Sequence, residues 1–293
     1  MNDGKDKEGR REFAFRIVNV FAEHRLAGNP LAVFENGRGL SDADMQALAL
    51  QFNLSETTFI LPSDVADARV RIFTPTFEMP FAGHPTLGSA HVVRELTGAG
   101  DALALEMLAG TIPVIAQGDV WTLEARAPVT REVDASREQL AQMLGLEVPD
   151  LGAHPLWVDT GSEQLVIPLA GADAVRRCAP DAGLVMRHGG MQLGTGVTRA
   201  MAYAWAEDGP RSILARFFFS KHGAIVEDPG TGSACANLGG WLVATGAPLP
   251  QQWSIAQGDA VGRRCKLGLA VDSGGRIFVS GHVIELGRGS VRL

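Results

Sequence analysis

The chain has 293 residues, 46% of them hydrophobic and 20% charged, with a formal net charge of −7 and a pI near 5.5. That length accommodates two ordinary domains with real cores. An acid excess without any lysine or arginine block excludes phosphate backbones and anionic membranes as natural partners, so no nucleic acid and no membrane is expected.

The opening segment, MNDGKDKEGRRE, is dense in both charges and has no apolar stretch. It is not a signal peptide, and residues 1–11 are expected to be a disordered tail. Short strand-like runs follow, bounded by Gly, Pro or Asp: FRIVNVFA, NPLAVFE, TTFILP, ARVRIFTP, ALALEML, TIPVIAQ and VWTLEAR. Among them, Ser41–Phe52 and later Ser136–Leu144 read as capped amphipathic helices. The second half gives HPLWVDTG, EQLVIPLA, AMAYAWA, ILARFFF, CKLGLAVD and RIFVSGHVIEL as further strands. A small-residue helix over Ser233–Thr245, uncharged on every side, is expected to be buried all round. The three cysteines, Cys178, Cys235 and Cys265, form no CxxC pair and no zinc spacing, which fits a reduced, cytoplasmic compartment.

One charged residue stands out. Glu56, in the stretch ETTFILPSD, abuts a strand-like run, where a carboxylate is expensive to bury unless paired or protonated. It is either an exposed strand edge or a group held to move a proton.

The chain also repeats itself. RIFTPTFEMPFAGHPTLGSAHVVREL (71–96) and RFFFSKHGAIVEDPGTGSACANLGGWLV (216–243) both run from an arginine-led strand through a loop into a glycine turn and a small-residue helix. Gly-Ser-Ala recurs at Gly88–Ala90 and Gly232–Ala234, and SETTFILP at Ser55 is echoed by SEQLVIPL at Ser162. This pattern predicts an α+β protein of two similar domains, each a curled, barrel-like sheet wrapped around a central buried helix, meeting along a cleft.

Each glycine turn opens a helix N-terminus, where unpaired N–H groups favour an anion. His84 and Pro85 stand in the first turn, and Glu227, Asp228 and Ser233 at the second. Close helix packing and ordinary acidic capping would account for either turn alone; the duplication and the scarcity of solvent around a buried helix favour a site. Dinucleotide binding is not supported, since GTGSAC has Cys235 in place of a third glycine, and no GxxxxGK[ST], GxSxG or HExxH occurs. His84 and His91 lie seven apart without a third ligand, so no metal is expected. Cys235 reads as a small buried hydrophobe.

Together AGNPLAVF, NLSETTFI, RIFTPTFEMPFAGHPTLGSA and EDPGTGSA resemble, in that order, the phenazine-biosynthesis PhzF-like isomerase family. The resemblance implies a diaminopimelate-epimerase-like fold with the active site in the cleft. It implies domains at 12–128, completed by the C-terminal strand 283–293, and at 129–282. It matches Glu56 to the catalytic glutamate, His84 to the active-site histidine, and Asp228 and Ser233 to residues lining the same pocket. Gly83, Gly230, Thr231 and Gly232 fall in the turns that would bind substrate. Where related epimerases and racemases carry paired cysteines, this chain has FAGHP and EDPGTG. The family's later GRP-type motif appears here as VGRRC, departing at Arg264.

Read this way, Glu56 is a general acid/base passing a proton between carbons of a small unsaturated or cyclic carboxylic acid, with no cofactor. The alternatives are a cysteine-independent epimerase of an amino-acid-like substrate and a non-catalytic carboxylate-binding protein of the same fold. A homodimer is expected from the resemblance and from the strand edges such a chain must cover.

Overall fold

The computed structural model describes residues 11–192, 198–221 and 223–293. The tail expected to be disordered lies, but for Arg11, outside the described residues.

In the first half, β1 (Glu12–Val20), β2 (Asn29–Phe34), α1 (Asp42–Phe52), β3 (Glu56–Leu61), β4 (Ala68–Phe73), β5 (Glu78–Met79), α2 (Gly83–Thr97), β6 (Ala102–Met107), β7 (Gly110–Gln117) and β8 (Val120–Glu124) follow one another. The second half runs β9 (Val129–Arg131), α3 (Arg137–Leu144), β10 (Leu156–Asp159), β11 (Gln164–Pro168), α4 (Ala172–Arg177), α5 (Ala182–His188) and β12 (Gly190–Gln192). It continues through β13 (Thr198–Glu207), β14 (Ser212–Lys221), β15 (Ala224–Asp228), α6 (Gly232–Ala244), β16 (Gln251–Gln257), β17 (Cys265–Val271) and β18 (Ile277–Arg292).

Strands β1, β2, β3, β4, β6, β7 and β8 pair in succession, and β18 joins β8 back to β1. The circuit is a closed eight-strand barrel. Helix α2 fills it, with every residue from Gly83 to Val93 buried. The second half repeats the pairing order as β9, β10, β11, β13, β14, β16, β17 and the first part of β18 around α6. This array is open, because β18 pairs there with β8 rather than with β9.

The pairing senses match step for step. β2 runs parallel to β3 as β11 does to β13, and β4 parallel to β6 as β14 does to β16. Two sequence echoes must therefore be reassigned. SEQLVIPL forms β11, the counterpart of β2, so it does not correspond to the Glu56 strand; that strand corresponds to β13. The two Gly-Ser-Ala triplets are not equivalent either, since the helices begin at Gly83 and at Gly232, which puts Gly88 in the second turn of α2. The uncharged stretch after α6, not named among the expected strands, contains β16, whose Trp253 and Ile255 pack into the core.

Helices α1 and α3 form where expected, each with a Ser-led capping box (Ser41 with Asp44, Ser136 with Gln139) that ties down orphan N–H groups. Arg16, only 4% exposed on β1, is held by Glu35, Glu95 and Glu285, which come from the end of β2, from α2 and from β18. A guanidinium so deeply placed needs such company, since its desolvation is offset only by charged hydrogen bonds.

Candidate active site

The first turns of α2 and α6 meet head to head. A Cβ placed on Gly83 would lie 3.5 Å from Gly232 Cα and 3.8 Å from Ser233 N. Neither N-cap residue, Ala82 or Thr231, caps its helix with a side chain. Two sets of orphan N–H groups and two positive dipole ends thus point into one place, which is where a carboxylate is best held. A cavity of about 480 Å³ opens there, lined among others by Glu56, Gly83, His84, Asp228, Thr231, Gly232 and Ser233.

Seven of the eight residues singled out from the sequence therefore share one volume. Gly230 does not line it: it sits behind the wall, where a Cβ would come within 2.6 Å of Cys265 Sγ, and its carbonyl accepts from Asn29 Nδ2 at 2.9 Å.

Glu56 enters as the first residue of β3. Its carboxyl keeps 15% exposure toward the cavity, while Oε2 is sealed from solvent and has no hydrogen-bond partner among the described residues. Burial, reinforced by the nearby Asp228 charge and opposed by Lys221, pushes its pKa up to about 8. His84 Nε2 lies 3.4 Å from Glu56 Oε2 and also lacks a hydrogen-bond partner among the described residues. Burial drives the imidazole pKa down to about 3, and the α2 N-terminus acts in the same direction. His84 is therefore neutral at physiological pH, a dipole rather than a cation. Two unpartnered polar atoms facing each other in a sealed corner are an expensive arrangement that a bound polar ligand would relieve.

Asp228, the last residue of β15, is more firmly held. It accepts hydrogen bonds from Thr231 Oγ1 and from Asn29 Nδ2, the latter at 3.2 Å. Burial raises its pKa to about 6, against the hydrogen bonds from Thr231, Asn29, Gly230 and Ser55. Buried Gln257 locks the same turn, donating to Asp228 O at 2.9 Å and to Thr231 Oγ1 at 3.0 Å. On the other flank, Ser233 Oγ accepts from Gln164 Nε2 at 2.8 Å, and Asn237 Nδ2 in turn donates to Gln164 Oε1 at 3.0 Å.

Asn29 and Gln257 were not singled out from the sequence. The AGNP motif was the only signal for Asn29; Gln257 carried none. The VGRRC segment now has a place. Arg263 donates to Gly28 O at 3.0 Å and to Asn19 Oδ1 at 2.8 Å, fixing the loop that delivers Asn29 to Asp228, while Arg264 is exposed and pairs with Asp259 at 2.7 Å.

All three cysteines are buried, and burial raises each thiol pKa, that of Cys178 to about 12. No cysteine is among the described residues lining the cavity. Among the described residues, no group of three or more His, Cys, Asp or Glu is placed to hold a metal ion. No described helix is long and apolar enough to cross a membrane.

Around the cavity stand a closed barrel on one buried helix, an open array on a second, and two helix ends facing a buried Glu–His–Asp group. The family profile described as phenazine biosynthesis-like protein matches residues 18–287, and the chain belongs to that family. It is 39% identical to an uncharacterized isomerase of Pasteurella multocida, over 95% of this chain and 94% of that protein. It is 33% identical to the trans-2,3-dihydro-3-hydroxyanthranilate isomerase of Pseudomonas aeruginosa, over 94% of this chain and 98% of that one. A PhzF-family phenazine biosynthesis protein of Bacillus anthracis has the same fold, with a TM-score of 0.83, 24% identity, and coverage of 96% of this chain and 99% of that one. At 13% identity, a hydroxyproline epimerase of Agrobacterium vitis shares the fold more loosely (TM-score 0.64, covering 97% of this chain and 93% of that one).

Proposed function

We propose that the protein is a cofactor-independent isomerase that moves a proton between two carbons of a small unsaturated or cyclic carboxylic acid, with Glu56 as the acid/base. The substrate carboxylate is received between the N-termini of α2 and α6, by the backbone N–H groups around Gly83, Gly232 and Ser233. That seat holds an adjacent C–H over Glu56. Ionised Glu56 takes the proton as the C–H bond breaks, and the electron pair spreads into the neighbouring unsaturated group. The same carboxyl then returns the proton to another carbon, so nothing is gained or lost overall. His84, neutral and 3.4 Å from Glu56, hydrogen-bonds substrate or glutamate without adding charge. Asp228, the more acidic of the two carboxyls, stays ionised and holds the proton preference of Glu56 near neutrality.

The observation that carries this reading is the single, desolvated glutamate beside two uncapped helix ends. The position equivalent to Glu56 in the second half is Met201: β4 pairs Ile72 with Met79 and β14 pairs Phe217 with Asp228, and counting back along β3 and β13 aligns Glu56 with Met201. One base on one side suits a shuttle along one face of the substrate better than inversion between two bases. The relative named as a trans-2,3-dihydro-3-hydroxyanthranilate isomerase supports a cyclic amino-bearing acid as substrate class. The test is proton exchange: the wild type should exchange a carbon-bound proton of such an acid in deuterated water, and Glu56→Gln should bind the acid without exchanging it. Exchange by the Gln variant at the wild-type rate would remove Glu56 from the mechanism.

In the same reading, residues 12–128 with 283–293 form one domain and 129–282 the other, in a cytoplasmic homodimer. The outer edge of β9, which pairs only with β10 among the described strands, and its 71%-exposed Val129 support a covering partner. Light scattering at micromolar concentration should give twice the chain mass, and monomer mass alone would exclude the dimer.

A further inference from the structure

The inner end of the cavity is filled by the proposed carboxylate seat; its outer end is chemically different. Strands β13 and β14 pair antiparallel with Met201 opposite Phe219. Two residues further along each strand, on the same face, come Arg199 and Lys221. Met201, Phe217 and Phe219 line the cavity, and Arg199 and Lys221 line it beyond them. The wall thus runs from aromatic to cationic as it leaves the catalytic corner.

The β13–β14 ladder ends at Met201 and Phe219, so Arg199 and Lys221 lie just past its last pair, two like charges lining the same part of the cavity. Arg199 is also partly desolvated, and burial alone acts on its guanidinium, which lies 5.0 Å from the Phe77 ring centroid. No described carboxylate forms an ion pair with it. Lys221 lines the same cavity. The remaining charges on the rim, Glu124 and Arg126, are one of each sign and leave the pair uncompensated. The cavity, at about 480 Å³, is in the range that holds drug-sized ligands, and a single-ring acid would leave much of it empty.

Resting on the isomerase reading above, we propose that the natural substrate is dianionic: one carboxylate sits at the helix ends, an apolar or unsaturated body crosses the Phe217–Phe219 wall, and a second carboxylate or phosphate is gripped between Arg199 and Lys221. The guanidinium supplies a planar fork and the ammonium a point charge, which together suit an oxyanion.

Anthranilates carrying N-succinyl, N-glutaryl or N-adipoyl tails, each compared with its terminal primary amide, test this by titration calorimetry. Anthranilate itself reports on the inner seat. An N-(3-phosphonopropanoyl) anthranilate distinguishes phosphate from carboxylate at the rim. At the best tail length the acid-ended compound should bind at least about tenfold tighter than its amide, as expected for hydrogen bonds to charged groups. In the Arg199→Met/Lys221→Met double variant that gap should fall below about threefold while anthranilate binds as before. The ligand-free variant should melt near the wild-type temperature, because neither cation forms an ion pair with a described carboxylate. No acid–amide gap at any length, or a gap that persists in the double variant, overturns the dianionic substrate. If anthranilate still binds in that case, the isomerase reading stands; if no carboxylate binds the wild type, both fall.

Discussion

The two halves of the molecule share a frame and differ at the positions that face the cavity. In each, an arginine in the middle of a strand forks onto a glutamate that lies five residues before a helix: Arg71 onto Glu78 at 2.6 and 2.7 Å before Gly83, and Arg216 onto Glu227 at 2.7 and 3.1 Å before Gly232. Each arginine also lies over the phenylalanine two residues on, 5.0 Å from the Phe73 centroid and 4.9 Å from that of Phe218. The register matches, with Phe73 opposite Glu78 and Phe218 opposite Glu227. On this common frame Glu56 answers Met201, Met79 answers Asp228, and His84 answers Ser233. The shared frame brings two uncapped helix ends to one cavity; the differences leave a buried glutamate on one side and a buried aspartate on the other.

The largest break of that asymmetry is Glu56→Gln. Turnover should fall by at least about 10²–10⁴-fold, the usual worth of an acid–base group. Stability should move the other way. The folded state holds the Glu56 proton up to about pH 8, against a reference of 4.5, so the wild type loses stability as pH rises between those values. The Gln variant escapes that loss, and melting curves at pH 5 and pH 8.5 should show its relative gain at the higher pH.

Asp228→Asn removes the partner charge. Because burial is the first cause of the raised Glu56 pKa and Asp228 the second, that pKa should fall but stay above 4.5. The rising limb of kcat/KM, expected near pH 8 in the wild type if ionised Glu56 starts the cycle, should move to lower pH, with turnover down by about 10²-fold. A limb that stays in place would separate the two carboxyls.

The shared frame is tested by making one change twice. Arg216→Gln should destabilise by about 2 kcal/mol and Arg71→Gln by about 1 kcal/mol, read from urea denaturation. The first is larger because Glu227 is the more buried acid and Arg216 also donates to Cys178 O at 2.6 Å. Comparable in stability to the second of these, Ser233→Ala leaves Gln164 Nε2 without its acceptor, which should lower stability by about 1 kcal/mol and raise KM a few-fold with kcat little changed.

Much of this was legible in the sequence. Glycine at a helix start and apolar alternation in strands are backbone demands, so the α2 and α6 helices and most strands could be read directly. The alignment of the halves was misread, because Gly-Ser-Ala and Ser-Glu are lookalikes at inequivalent positions. What the two halves share is the Arg–Glu fork and the helix-opening glycine; the side chains between them that line the cavity differ. Asn29 and Gln257 were missed because a buried amide that ties down a distant turn has no local pattern: Asn29 reaches the Asp228 carboxylate 199 residues away, and Gln257 the Asp228 carbonyl 29 residues away.

Strand β18 gives one further consequence. Its first residues pair with β17 and β8, and those from Val283 onward pair with β1, so the barrel that carries Glu56 is closed by a strand that follows the whole second half in sequence. On the ribosome the first half must wait with an open seam between β1 and β8, and Arg16 must wait for Glu285, until the second half has emerged. Such distant pairing slows folding and leaves unpaired strand edges exposed to aggregation meanwhile. Chaperone dependence during synthesis, relieved in a circular permutant that places β18 ahead of β1, is the expected signature.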